Sequence, residues 1–198
     1  MPVRSQDLHG SAPDKSAAAL LLIDVINDFE FREGEQLLRL ALPAGRNIAA
    51  LKRRAKEAGI PAIYVNDNFG RWRSDFKKIV AHCRGESRGK PFVELLLPDE
   101  DDYFVLKPKN SGFYSTTLDL LLTHLGARNL ILTGIQGNNC VLFTANDAYM
   151  RDYKIFVPSD CTVSDTDEEN RHALKQMQNV LKADISSAEE LDLKAISS

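Results

Sequence analysis

The run Ala18-Ala19-Leu20-Leu21-Leu22-Ile23 is six consecutive apolar residues that stop at a carboxylate, Asp24. It is far short of the roughly 20 apolar residues that cross a bilayer, and it lacks the alternation of a strand wet on one face. Its form is that of a strand buried on both faces of a parallel sheet. Such a strand requires neighbours on either side and helices above and below, so the rest of the chain must supply both.

It does so in alternation. Ile60-Pro61-Ala62-Ile63-Tyr64-Val65, Tyr103-Phe104-Val105-Leu106, Asn129-Leu130-Ile131-Leu132-Thr133 and Lys154-Ile155-Phe156-Val157 are further β-rich runs, and a last short strand is expected near Ala183 to Ser186. Between them, Ala44 to Ala58, Leu118 to Leu125, Cys140 to Arg151 and Asp167 to Leu181 carry apolar residues three and four apart, and Gly59 is a stop signal for the first of these helices. The pattern predicts an α/β fold, an open, mostly parallel sheet of five to six strands with helices on both faces and right-handed crossovers. The segment from Asn66 to Asp102 is long for one connection and rich in Gly and Pro, as a site-forming insertion would be, with a short helix expected over Phe76 to Ala81.

A chain of 198 residues has room for one domain with a full core. Residues 1–15 read as a loose polar leader and 16–198 as that single domain. A formal net charge of -3 and a pI near 5.8 provide no basic stripe, which argues against nucleic acid or an anionic membrane as partner and leaves a small molecule. Cys83, Cys140 and Cys161 are odd in number and lack C-x-x-C spacing. With no apolar stretch in MPVRSQDLHGSAPDKS, the expectation is a reduced, cytoplasmic protein.

Ligands of open α/β sheets bind outside the carboxyl ends of the strands. Asp24 ends the first strand, Lys107 ends the third, and the turn Thr133-Gly134-Ile135-Gln136-Gly137-Asn138-Asn139-Cys140 puts a thiol near a helix start. A helix N-terminus and a neighbouring ammonium both lower a thiol pKa, so an activated Cys140 is expected, with Asp24 moving its proton. On residue types alone, Cys140 is equally readable as an inert buried cysteine. Four histidines, His9, His82, His124 and His172, stand in the leader, the insertion or helical patterns, and none follows a strand as a catalytic base would.

Several separated motifs between Leu20 and Leu181 resemble the isochorismatase-like cysteine hydrolase superfamily. Leu21-Leu22-Ile23-Asp24-Val25-Ile26-Asn27-Asp28-Phe29 is similar to its first-strand motif, Leu106-Lys107-Pro108-Lys109-Asn110-Ser111-Gly112-Phe113 to its lysine segment, and Gly134 to Val141 with Thr144 to Ala148 to its nucleophile elbow. The resemblance implies a Rossmann-like three-layer sandwich, an Asp24-Lys107-Cys140 catalytic triad, an Ile135-Gln136 cis peptide, and an oxyanion hole from the N–H groups of Gln136 and Cys140. It also implies a homodimer or homotetramer and no cofactor. Ile26 stands where the family often has Gln, and Gly137-Asn138 where it often has Thr-Asp; the triad is untouched, and these departures bear on substrate identity.

The nicotinamidase branch of that superfamily binds a divalent metal through an aspartate and histidines after the second strand. Here that stretch is Asn66-Asp67-Asn68-Phe69-Gly70-Arg71-Trp72, with no histidine before His82, so no metal is expected and Asp67 reads as a solvated loop residue. Phe29, Phe69, Trp72, Phe113 and Tyr114, with Asn68 and Gln136 for polar contacts, are candidate substrate contacts, the aromatics alternatively filling the core or an interface. The expected activity is hydrolysis of a C–N bond in a small amide, lactam or carbamoyl compound through a covalent acyl-enzyme. The alternatives are vinyl-ether hydrolysis of the isochorismatase type and a non-catalytic binding protein that retains the fold.

Overall fold

The computed structural model describes residues 15–70 and 75–198. The leader, apart from Lys15, and Trp72 lie outside the described residues. Six strands, β1 (Ala18–Ile23), β2 (Ala62–Asp67), β3 (Tyr103–Lys107), β4 (Asn129–Ile135), β5 (Lys154–Phe156) and β6 (Thr162–Val163), form an open parallel sheet. The order is β3-β2-β1-β4-β5, with β6 pairing the far end of β4. Seven helices among the described residues cover it: α1 (Gly34–Glu57), α2 (Phe76–Arg84), α3 (Lys90–Val93), α4 (Leu118–Leu125), α5 (Leu142–Tyr149), α6 (Asp167–Leu181) and α7 (Leu193–Ile196).

Every residue of β1 is shut off from solvent, as a continuous apolar run requires. Ala18, Leu20 and Leu22 pack with α1, α2, α3 and α7, while Ala19, Leu21 and Ile23 pack with α4, α5 and α6 on the opposite face. The period of two along a strand thus divides one apolar run between two cores. Among the described residues, no helix is long and apolar enough to cross a membrane.

Departures from the expected elements have local causes. Helix α1 starts at Gly34, ten residues before the expected Ala44, and carries Pro43 inside it. The apolar face of Leu37, Ala41, Ala44, Ile48, Leu51 and Ala55 runs through the proline, which stands on the exposed side, where water can take up the unpaired carbonyl. Strand β6 is too short to show a period, and Ala183 to Ser186 is reduced to one bridge between Phe156 and Asp184. The helix expected from Cys140 opens instead as a π-helical turn, Gly137–Val141, before α5.

β1 pairs with β2 on one side and β4 on the other, so the crossovers from β1 and into β4 run in opposite directions and open a crevice between these two strands. Gly134 sits at that point opposite Ile23, with φ +118°. A Cβ there would lie 2.0 Å from the Ile23 carbonyl oxygen, so only glycine lets β4 pass this close to β1.

Candidate active site

Asp24, the residue after β1, takes a φ of +51°, a conformation aspartate tolerates better than most residues. Its N–H donates to the Val65 carbonyl, and its Oδ1 accepts the Asp67 N–H at 2.6 Å. Buried Asn66 clasps the next turn, accepting from Ile26 N–H and donating to Ile26 carbonyl, both at 3.0 Å. The carboxylate is thus fixed by the end of β2.

Lys107 ends β3, two strands from β1 and so roughly 10 Å away. Its side chain, fully buried, crosses the end of β2 so that Nζ lies 2.8 Å from Asp24 Oδ2 and 3.5 Å from Cys140 Sγ, while donating to Lys109 carbonyl at 3.2 Å. The segment after Lys107 clamps onto the cysteine turn. Asn110 Nδ2 donates to Asn139 Oδ1 at 2.6 Å, Gly112 N–H donates to Thr144 Oγ1 at 3.0 Å, and Ser111 hydroxyl donates to Asp147. Thr144 in turn donates to the Cys140 carbonyl at 2.7 Å.

On the other side, Asn138 N–H donates to Ser164 Oγ at 3.0 Å, and Asn170 of α6 is bonded to that hydroxyl at 3.1 Å. A Cβ on Gly137 would meet Asn170 Oδ1 at 2.3 Å, so the glycine at this position makes room for α6. The Ile135-Gln136 peptide is cis.

The electrostatics correct one expectation. The Cys140 thiol is pushed up to about 12, first by burial and then by the negative charge of Asp24, against the opposing pull of Lys107. Burial also raises the Asp24 carboxyl, while Lys107 and a hydrogen bond from Cys140 pull it down. Burial would depress Lys107, but the charges of Asp24 and Cys140 lift it above its ordinary value. The thiol thus lies above its ordinary value, where the sequence reading expected it lowered.

A cavity of about 380 Å³ opens over the thiol, lined by Asp24, Asp67, Phe31, Phe69, Gln136 and Cys140 among others. Of the expected substrate contacts, Phe69 and Gln136 line it, and the other described ones do not. Phe29 is completely buried against Phe92, and Phe113 packs in the core between Tyr153 and Arg151. Asn68 turns back to accept the Gly70 N–H, and Tyr114 is exposed outside the cavity. Phe31 lines it in place of Phe29, which at φ +55° turns inward. Asp67 is the last residue of β2, so the strand-end rule that selected Asp24 and Lys107 selects it too once the strand is extended two residues.

The isochorismatase domain model matches residues 18–190. The chain belongs to the isochorismatase family. It is 48% identical over 177 residues to the isochorismatase family protein YaaI of Bacillus subtilis, covering 89% of this chain and 97% of that protein. Among solved structures it is similar to an N-carbamoylsarcosine amidase from Thermoplasma acidophilum (26% identity, TM-score 0.67, 88% of this chain and 98% of that one). It is equally similar to a pyrazinamidase/nicotinamidase from Streptococcus mutans (26% identity, TM-score 0.67, 85% and 99%).

In this isochorismatase-family hydrolase the donors of a nicotinamidase-type metal do not converge. His82 Nε2 is 2.9 Å from Asp28 Oδ2, and Asp67 is bonded to Phe69 N–H and faces Lys107 Nζ at 3.9 Å. Among the described residues, the group of three donors close enough for one ion is Asp99, Asp101 and Asp102, before β3 at the opposite end of that strand from Lys107, where each pairs with Lys52 or Lys56.

All three cysteines of the hydrolase are free thiols, and burial raises Cys161 as it does Cys140. Above pH 9 the unfolded chain releases thiol protons that the folded chain retains up to about 12 at Cys140. The stability these groups contribute is complete below pH 9 and lost as the pH rises from there. Urea unfolding between pH 7 and 11 is expected to show falling stability above pH 9, with a shallower fall in Cys140→Ser.

Proposed function

We propose that the chain hydrolyses a C–N bond of a small amide, lactam or carbamoyl compound through a thioester on Cys140, without a metal. The observation that carries this reading is Lys107 Nζ, held 2.8 Å from Asp24 and 3.5 Å from the thiol beneath an open cavity. The non-convergent donors around Asp67 and His82 support the metal-free assignment, and the amidase among the structural neighbours supports amide chemistry in general.

In the proposed route Asp24 accepts the thiol proton as Sγ bonds to the substrate carbonyl carbon, so that a neutral thiol is activated only during attack. The N–H groups of Gln136 and Cys140 receive the oxyanion, and Lys107 remains charged beside the sulfur. As the C–N bond breaks, Asp24 gives its proton to the leaving nitrogen. Water then adds to the thioester, passing a proton to Asp24. When the C–S bond breaks, the sulfur recovers that proton and the acid is released.

The test is turnover of a panel of small amides, lactams and ureido acids by wild type and Cys140→Ala. Activity is expected to fall on the order of 10⁴-fold or more, as for loss of a covalent nucleophile. Turnover that survives the substitution would overturn the thioester route.

A further inference from the structure

We propose that the Cys140 cavity selects substrates bearing an ammonium or other cationic group and rejects carboxylates. This deepens the thioester reading above and rests on it for the word substrate. Asp24, Asp28, Glu30 and Asp67 all line the cavity, and no basic side chain of the described residues does. Asp165 adds a fifth carboxylate directly behind the wall, accepting Gln136 Nε2 at 2.6 Å.

Among the described residues, the cations nearby are already committed. Lys107 is sealed below the floor and engaged by Asp24 and the Lys109 carbonyl. Arg88 lies 3.6 Å from Glu30 and donates to the carbonyls of Phe29 and Phe31. His82 is engaged by Asp28, with Nε2 2.9 Å from Oδ2. Among the described residues, five carboxylates therefore face two permanent cations.

Asp67 is the group best placed to meet a cation. One of its oxygens is fixed by the Phe69 N–H at 2.5 Å, while Oδ2 lies 3.9 Å from Lys107, too far for a hydrogen bond. Its side chain is 41% exposed and opens on the cavity. An ammonium entering above Cys140 gains attraction from Asp67, Asp28 and Glu30 together, whereas a carboxylate meets repulsion from all three.

Two measurements test this without a known substrate. The first compares modification of Cys140 by 2-aminoethyl and 2-sulfonatoethyl methanethiosulfonate at pH 8, reagents alike except in charge. Each rate is divided by that of a small neutral thiol. The cationic reagent is expected to be favoured by about tenfold or more. The preference should shrink in Asp67→Asn and Glu30→Gln and in high salt. A ratio at or below one overturns the proposal.

The second titrates β-alaninamide and succinamate, amides of matched length and opposite charge, into Cys140→Ala by calorimetry. About tenfold tighter binding of β-alaninamide is expected, and equal or tighter binding of succinamate overturns the proposal. Turnover by Cys140→Ala would refute the thioester route alone, because neither charge comparison depends on it.

Discussion

Replacing Asp24 with asparagine is expected to make Cys140 easier to alkylate while slowing turnover. The carboxylate is the charge that, after burial, holds the thiol up at about 12. Asn at this position keeps an oxygen able to accept the Asp67 N–H that fixes it at 2.6 Å, but removes both the negative charge and the proton acceptor. The pH profile of iodoacetamide labelling should therefore move to lower pH, with Lys107 now unopposed in favouring the thiolate.

Hydrolysis should fall about 10²- to 10⁴-fold, the range of a lost general acid–base group. Mass spectrometry can assign the label to Cys140, since Cys83 and Cys161 are completely buried. The two effects have opposite signs, which separates a proton-transfer role from mere structural damage. A labelling profile unmoved or displaced to higher pH would sink the resting-state electrostatics, and retained turnover would sink the role of Asp24.

Lys107→Met is expected to have the largest effect on the fold. Methionine fills the space of the stem but leaves the Asp24 carboxylate buried beside a thiol with its cation gone. Removing one partner of a buried ion pair costs about 3–5 kcal/mol, most of it the uncompensated charge. The sign of the pH dependence follows from Asp24, whose carboxyl already lies above its ordinary 3.8 because of burial. Without the lysine it rises further, so the deficit should be greatest at neutral pH and shrink on acidification as Asp24 becomes protonated.

The double variant Asp24→Asn, Lys107→Met removes both charges and should recover much of the lost stability, measured by urea unfolding at pH 7. Labelling of the single Lys107→Met variant should move to still higher pH, because Lys107 is what pulls the thiol down. A double variant no more stable than Lys107→Met would show that methionine fails on packing and not on charge.

These expectations turn on three residues that were legible before any coordinates, though for unequal reasons. Ala18 to Ile23 is a strand on periodicity alone, and its closing Asp24 is on the ligand-binding side of any parallel sheet. Lys107 and Cys140 are strand-end and turn residues by the same logic, but their meeting within 3.5 Å depends on β3 and β4 lying on opposite sides of the β2-β1 pair, an order that no local pattern encodes. The motif resemblance supplied that grouping in advance.

The candidate substrate contacts show the limit. Phe29 and Phe31 are two residues apart and chemically identical, yet Phe29 fills the core and Phe31 lines the cavity. The choice is made by a left-handed turn at Phe29 and by the insertion packed against it, where Arg88 holds the Phe29 carbonyl at 2.8 Å and Phe92 receives the ring. Asp67 illustrates the same point, passing from loop residue to site residue because β2 extends two positions further.

The thiol is the sharpest case. From sequence, a cysteine near a helix start with a lysine in reach has a lowered pKa, because dipole and ammonium both favour the thiolate. In the fold the same cysteine lies in a π-helical turn, half-buried and against a carboxylate, and its pKa rises. The sequence by itself determined which chemical groups stand at the strand ends, since hydrophobic periodicity and turn residues act locally. Only the tertiary structure decided how those groups share one proton, because burial and charge separation are properties of distances between segments far apart in the chain.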